Sequence, residues 1–301
     1  MRQLLLALAL AGLSLPAVHA ADSATPSGRA AAVTARSPIE QWVLDGALAY
    51  NADPDVRNAF RDILLRQAEQ KNATARYIAG VLYRLGHAHP AKLVPQNLDK
   101  SREYLLAAAL DGMHAATFKL AEVEYQAGRY AEAMDWAQVH MHYLREQPGF
   151  DPRDAKGAAA LISRIAERLG TVEHETIRQR TITLLDRYGA TIEAAHQARQ
   201  ATSPPPPQLQ IPGGKRRVSG LSHTAVPPTE SGNAEFYIAV DHEGRVSRFW
   251  LLDGGADGAF AETFAPIVRR SRFNPSKPGD APRVALVPFA YLDRSYELQQ
   301  R

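Results

Sequence analysis

The apolar residues in the larger part of the chain recur at helical spacing. Over residues 38–200 they return roughly every three or four positions, and almost no segment alternates between apolar and polar residues as a strand does. This pattern predicts a helical region over residues 38–200. One of its helix faces contains Ala75, Ile78, Ala79, Leu82 and Gly86.

The helical pattern repeats along the chain. The apolar positions of residues 78–86 match those of residues 120–128, about 42 positions later. A second helix that carries an aromatic residue and alanines follows each of these segments. Because a single helix pair cannot bury its apolar face alone, neighbouring pairs must stack, and we predict a helical-repeat solenoid. The aromatic residues expected between its layers are Tyr83, Tyr104, Tyr125 and Trp136.

These units resemble the Sel-type branch of the tetratricopeptide-like repeats. Residues 75–86 are similar to the first helix of that repeat, and residues 99–112 are similar to its second, Ala-Ala-containing helix. The next unit, residues 116–137, lacks a clear Ala-Ala-x-x-Gly end, and residues 87–98 form a longer loop in the first unit. The resemblance implies a surface for protein–protein interaction. Capping helices are predicted at about 38–70, 154–169 and 172–200.

The period of the apolar residues changes after a segment rich in proline and glycine. The four consecutive prolines of residues 204–207 must end the preceding helix, and we predict a linker over residues 201–215. Beyond it, Phe236, Ile238 and Val240 alternate with polar or small residues, as in a half-buried strand. The next predicted elements are a turn at 241–244, a returning strand at 245–252, a helix face of Phe260, Phe264, Ile267 and Val268, and a strand at 284–291.

Four motifs in this order resemble the C-terminal domain of the TonB family. The family pattern is a strand ending in Asp-x-x-Gly-x-Val, a helix, Arg-Phe-x-Pro, and Gly-x-Pro before a last strand. The matching segments are residues 241–246, 272–275, 279–282 (one residue longer than the family spacing) and 283–291. The family's usual Pro-x-Tyr-Pro is not evident around residues 224–229. The expected fold class is therefore α+β multidomain, a helical-repeat solenoid followed by a small TonB-like sheet of strand, strand, helix and strand.

The TonB resemblance implies that a partner binds by strand addition. An open sheet edge presents unpaired backbone donors and acceptors to which an extended segment can add. In the family, the partner is typically the N-terminal segment of an outer-membrane transporter. The expected partner-binding edge is Arg283, Val284, Ala285, Leu286, Val287, Pro288, Phe289, Ala290 and Tyr291.

The N-terminus has the pattern of a secretory signal peptide. A positive start is followed by an apolar run of about 15 residues and by small side chains. We expect cleavage between Ala20 and Ala21, and the alternative is an uncleaved membrane anchor. The predicted organisation is a signal peptide at 1–20, a flexible leader at 21–37, a helical-repeat domain at 38–200, a linker at 201–215 and a TonB C-terminal-like domain at 216–301.

These patterns together predict a periplasmic adaptor of a Gram-negative cell envelope that binds other proteins. The alternative is an energy transducer of the TonB type, anchored in the inner membrane and facing the periplasm. The length of the linker argues against transduction. Roughly 15 residues at about 3 Å each span only about 45 Å, which is too short to reach across a periplasm. Membrane contact is expected only if the signal peptide remains uncleaved.

The composition argues against several other functions. The chain has no cysteine, which excludes disulfides and thiolate metal sites, and its net charge of +3 comes from interleaved basic and acidic residues. We therefore predict no nucleic-acid partner, no metal, no cofactor and no small-molecule substrate. His87 and His89 lie in a loop, His140 and His142 point apart on a helix, and all four are expected to be solvent-exposed. No pair of groups is nominated as catalytic, and the chain is not expected to be an enzyme.

Overall fold

A computed structural model of the protein describes residues 38–49, 51–202, 209–210, 232–254, 265–266, 268–277 and 283–291. The predicted signal peptide with its cleavage point at Ala20 and Ala21, the leader, and most of the predicted linker lie outside these residues. The part described is mixed α+β, and helices dominate it. The repeat and TonB-like assignments and the domain boundaries stay predictions.

The described part of residues 38–202 consists of helices joined by turns and loops. Asparagine side chains start two of them, since Asn72 accepts a hydrogen bond from the Ala75 amide and Asn97 accepts one from the Lys100 amide, each at 2.9 Å. A π-helical segment, Leu185–Gly189, joins the last two helices. The helices are Pro38–Leu44 (α1), Pro54–Glu69 (α2), Ala73–Leu85 (α3), Leu98–Leu110 (α4), His114–Gln126 (α5), Tyr130–Glu146 (α6), Lys156–Leu169 (α7), His174–Leu184 (α8) and Ala190–Thr202 (α9).

The helix predicted over residues 38–70 is two helices, α1 and α2. Gly46 has a φ of +89°, and Pro54 begins α2 behind the capping side chain of Asp53. A left-handed glycine ends a helix, and a proline is tolerated only in the first turn of the next one. The apolar periodicity continues across this break, so it could not reveal the break.

The helices pack in sequence order, α2 on α3, α3 on α4, α4 on α5, and α5 on α6. Small residues allow this close approach: a Cβ added to Gly80 would lie 2.6 Å from Leu105 Cγ. Tyr83 and Tyr104 stack with ring centroids 5.8 Å apart. Two of the aromatic residues expected between the helices therefore contact each other there.

Gly112 follows α4 and lies directly beneath α9. Its φ is +88°, and an added Cβ would lie 2.4 Å from the backbone nitrogen of His196. We expect Gly112→Ala to lower the free energy of unfolding by about 3 kcal/mol, from left-handed strain and displacement of α9. The matched control is Gly128→Ala, because Gly128 has a φ of +74° with nothing within 4 Å of an added Cβ. It should lose only about 1–2 kcal/mol. Urea denaturation measures both, and equal losses would contradict the close approach of α9.

Three long strands follow the helical region and form one antiparallel sheet. Gly232–Val240 (β2) lies in the middle, between Val246–Asp253 (β3) and Arg283–Tyr291 (β5). Two short strands, Leu209–Gln210 (β1) and Arg272–Phe273 (β4), pair separately. Residues 268–270, within the predicted helix, are helical, and Val268 is buried.

Both faces of β2 are buried, which corrects the prediction of a half-buried strand. Every residue from 234 to 240 is buried. Tyr237 lies opposite Trp250 on β3 and Leu286 on β5, and Tyr237 and Leu286 belong to the core of the helical region. The helical region therefore covers one face of the sheet, which the alternation of Phe236, Ile238 and Val240 could not indicate.

Candidate functional site at the sheet edges

Two acidic side chains of the sheet point at the helical region. Glu235 on β2 and Asp253 on β3 are directly opposite each other in the strand register, and both are buried. Two neighbouring carboxylates that are buried need cations close by, because a buried unpaired charge is very unfavourable. The helices supply two such cations.

Arg84 of α3 and Lys119 of α5 meet Asp253 from the helical side. Arg84 Nη2 lies 2.6 and 2.5 Å from the two carboxylate oxygens of Asp253, and Lys119 Nζ lies 2.6 Å from one of them. Glu122 is 3.1 Å from Lys119 Nζ, and Glu235 is 3.8 Å from it. We call Arg84, Lys119, Glu122, Glu235 and Asp253 the buried ion cluster.

The pKa directions in the buried ion cluster follow from burial and pairing. Burial alone would lower the pKa of Lys119, but Asp253, Glu122 and Glu235 outweigh it and raise this pKa. Burial raises the pKa of the Glu235 carboxyl, and Lys119 and the Tyr77 hydroxyl offset only part of this effect. Tyr77 donates its hydroxyl hydrogen to Glu235, with oxygen distances of 2.9 and 2.8 Å. The ammonium and guanidinium groups therefore stay charged, and burial disfavours the charge on Glu235.

His89 attaches the helical region to the outer strand β3. Its Nε2 lies 3.1 Å from the Leu251 carbonyl oxygen, and its Nδ1 accepts a hydrogen bond from the Ala91 amide at 3.0 Å. These partners require a neutral ring with the hydrogen on Nε2. Burial lowers the pKa of His89 to about 4, so the ring stays neutral at physiological pH. The end of the β3 edge is therefore contacted by the chain itself.

The opposite edge is β5, the predicted partner-binding strand. Within the described part of the chain, β5 pairs with β2 alone, in an uninterrupted register from Arg283 opposite Val240 to Tyr291 opposite Gly232. Pro288 lies in this strand opposite Glu235. Since proline has no backbone N–H, a strand tolerates it where its nitrogen faces away from the neighbouring strand. Both the topology and Pro288 therefore identify β5 as an edge strand.

The predicted edge residues have different environments. Arg283 bonds to the side chain of Asn274 at 3.1 Å and to its carbonyl oxygen, so its guanidinium is anchored within the sheet region. Val284 is half-buried against the helical core, and Leu286 and Val287 are buried. The side chains of Phe289, Ala290 and Tyr291 lie outside the description. The side chains of Arg283, Val284, Leu286 and Val287 are thus engaged within the molecule.

Two of the four histidines predicted to be solvent-exposed are buried. His89 is buried in its contact with β3, and His140 is buried next to Thr117, whose Oγ1 lies 3.1 Å from His140 Nδ1. His87 and His142 are exposed. The prediction was wrong for His89 because the sheet covers its loop. No group of three or more possible ligands within the described residues is arranged to hold a metal ion.

The buried ion cluster was missed in the sequence. Neither Glu235 nor Asp253 is among the candidate residues that the sequence pattern predicts. The available signal was a charged residue inside an apolar run, such as Lys119 before Leu120 or Glu235 before Phe236. Such a residue indicates a buried pair but does not identify its partner.

Comparison with protein-family models, curated proteins and solved structures found no match to this chain. Among the residues described, no helix has the length and apolar character needed to cross a bilayer.

Proposed function

We propose that this protein is an adaptor of the bacterial cell envelope that captures an extended segment of a partner protein on the open edge of β5. The observation that carries the proposal is the difference between the two sheet edges. Leu251 on β3 is contacted by His89, whereas β5 has a strand neighbour on one side only in the described chain. An unpaired strand edge binds an extended peptide through its backbone groups.

In this proposal the adaptor combines a TonB-type sheet with Sel-type repeats. We infer a TonB C-terminal type of sheet because β2, β3 and β5 follow the order of that family's motifs and residues 268–270, between β3 and β5, are helical. We infer Sel-type repeats in the helical region because α3 with α4 and α5 with α6 pack as successive pairs. The helical region would then bind a second partner, and the buried ion cluster would fix the β5 edge relative to that surface.

The alternating direction of successive residues along β5 determines which backbone groups face the open edge. If the nitrogen of Pro288 points outward, the backbone groups of Leu286 and Val284 point the same way, because strand residues alternate in direction. The groups of Ala285 and Val287 then bond to β2. A captured segment would bond chiefly to Val284 and Leu286 and would meet no donor at Pro288.

Photocrosslinking of the full-length protein in its own host tests the proposed function. A photoreactive side chain at Ala285 should react with one extended segment of an envelope protein, identified by mass spectrometry. The same group at Glu243, which is exposed in the β2–β3 turn, is the matched control. Identical products from the two positions, or no product specific to Ala285, would contradict strand addition.

Val284→Pro should weaken partner capture while keeping the ladder to β2. It removes one outward-facing donor and places a ring at the edge, and we expect about tenfold weaker binding of the crosslinked segment as a synthetic peptide. Val284→Ala, which removes side-chain packing but keeps the N–H, should change the affinity less. Isothermal titration calorimetry compares the two variants. Equal effects would show that side-chain packing and not the backbone edge accounts for binding.

A further inference from the structure

Three aromatic rings from three helices form a continuous stack beneath α9. His114 of α5 lies between Tyr143 of α6 and His196 of α9, with centroid distances of 4.1 and 3.7 Å. The planes differ by only 13° and 17°. His114 and Tyr143 are buried, and His196 is half-buried. We call these three rings the histidine stack.

The polar atoms of the histidine stack are poorly satisfied at its centre. Within the described chain, neither ring nitrogen of His114 has a hydrogen-bond partner, and the Tyr143 hydroxyl has none either. His196, in contrast, donates from Nδ1 to the Gly112 carbonyl oxygen at 2.9 Å. A proton added to His114 would therefore place a charge in a buried site, with the partly exposed carboxylate of Glu193 3.5 Å away but not hydrogen-bonded to the ring.

The charged and titratable groups around His114 do not favour a positive charge on its ring. From α6, His140, His142 and Tyr143 face it, and from α9, His196 and Glu193 do. Burial, followed by His196, His140 and His142, lowers the pKa of His114 to about 3. Glu193 is the counter-charge, 3.5 Å from His114 Nε2, but its side chain is 45% exposed and solvent weakens the attraction.

The helices above the histidine stack contribute few fully buried residues. Ile192 is the single buried residue of α9, and α8 has none, within the chain described. The contacts that attach α8 and α9 to the other helices include partly buried apolar side chains, such as Leu184, and two contacts with α6. Arg180 pairs with Asp135 at 2.7 Å, and Tyr188 stacks on Trp136 at 6.0 Å. A helix with so little apolar burial opens before the remaining core does.

We propose that the histidine stack is a pH-sensitive latch that holds α9 on the helical region while His114 is neutral and releases it when His114 takes up a proton. A charge on His114 lies in a buried site against the His196 ring, 3.7 Å away, and is better solvated when α9 separates from α5. Protonation within the stack therefore separates α9 from α5. Release frees residues 190–202, which lead directly into the predicted linker. This inference concerns regulation and does not rest on strand addition.

Hydrogen–deuterium exchange of the full-length protein at about pH 7.5 and about pH 5.5 tests the latch, since histidine charge changes in this range. After correction for intrinsic exchange rates, residues 190–202 should exchange about tenfold faster at the lower pH. Amides of α5 should keep their protection, which distinguishes local release from global unfolding. Unchanged protection of α9, or equal loss in α9 and α5, overturns the proposal.

His114→Phe keeps a flat ring in the stack but cannot take up a proton. It should reduce the pH effect on α9 to less than about twofold, whereas His174→Phe, at the exposed start of α8, should leave the effect intact. A full pH effect in His114→Phe overturns the proposal. If this variant does not fold, Glu193→Gln gives an independent test on a partly exposed residue. Loss of the counter-charge disfavours a protonated ring in the closed stack even further, so release at about pH 5.5 should be at least as large as in the unmodified protein, and a smaller pH effect on α9 overturns the proposal.

Discussion

Asp253→Asn should lower the free energy of unfolding by about 3–5 kcal/mol at neutral pH, because it leaves two buried cations without their shared carboxylate. Arg84 and Lys119 both lie within 2.6 Å of the Asp253 oxygens. Asparagine has almost the same volume, so packing is nearly unchanged and the loss reports on charge. Urea denaturation followed by circular dichroism measures the difference.

Glu235→Gln is the matched control in the same buried ion cluster. The raised pKa of Glu235 means that burial disfavours its ionised form, and an amide oxygen can still accept the Tyr77 hydroxyl hydrogen. We expect a loss below about 1.5 kcal/mol at neutral pH. A loss as large as that of Asp253→Asn would show that Glu235 is ionised and needed as a counter-charge.

The protein should lose stability steeply as the pH falls from about 6.5 towards 4, because three histidines are buried in the neutral form. Burial lowers the pKa of His89 to about 4, that of His140 to about 4, and that of His114 to about 3. A depressed folded-state pKa contributes stability that is present above the unfolded pKa and lost below it. At pH 5 each histidine should remove about 2 kcal/mol, and together they approach the total stability of an ordinary domain.

Chemical denaturation at several pH values measures this loss, and His89→Gln tests its origin. Glutamine can donate to the Leu251 carbonyl oxygen and accept from the Ala91 amide, but it does not titrate. The variant should be less stable at pH 7 yet lose about 2 kcal/mol less on acidification to pH 5. Glu235 and Asp135 act in the opposite direction, since their raised pKa values favour the fold at low pH. A stability independent of pH between 7 and 5 would mean that the three histidines are hydrated.

The sequence predicted local structure better than the arrangement of its parts. Helix 75–86 corresponds to Ala73–Leu85, helix 99–112 to Leu98–Leu110, and the strand at 284–291 to Arg283–Tyr291. These elements depend on periodicity and on nearby capping residues, which a sequence displays directly. The break between α1 and α2 was missed because apolar spacing continues through Gly46 and Pro54.

Of the candidate site, the sequence predicted the strand that becomes β5 but not the buried ion cluster. The expectation that this strand lies at a sheet edge came from the TonB resemblance, although Pro288 is a mark of an edge strand that the sequence displays. The buried ion cluster depends on residues far apart in the chain, since Lys119 and Asp253 are separated by 134 positions and Arg84 and Asp253 by 169. No periodicity relates such positions, and the second buried face of β2 was hidden for the same reason.

Pro288 also limits how the protein can associate with itself. If two copies joined through their β5 strands, each would bring a proline without an N–H to the shared ladder, and two hydrogen bonds would be lost. A fibril growing by the same contact would repeat this loss at every added chain. A foreign segment without proline loses only one bond. The edge therefore discriminates against its own copies and remains open to a different chain.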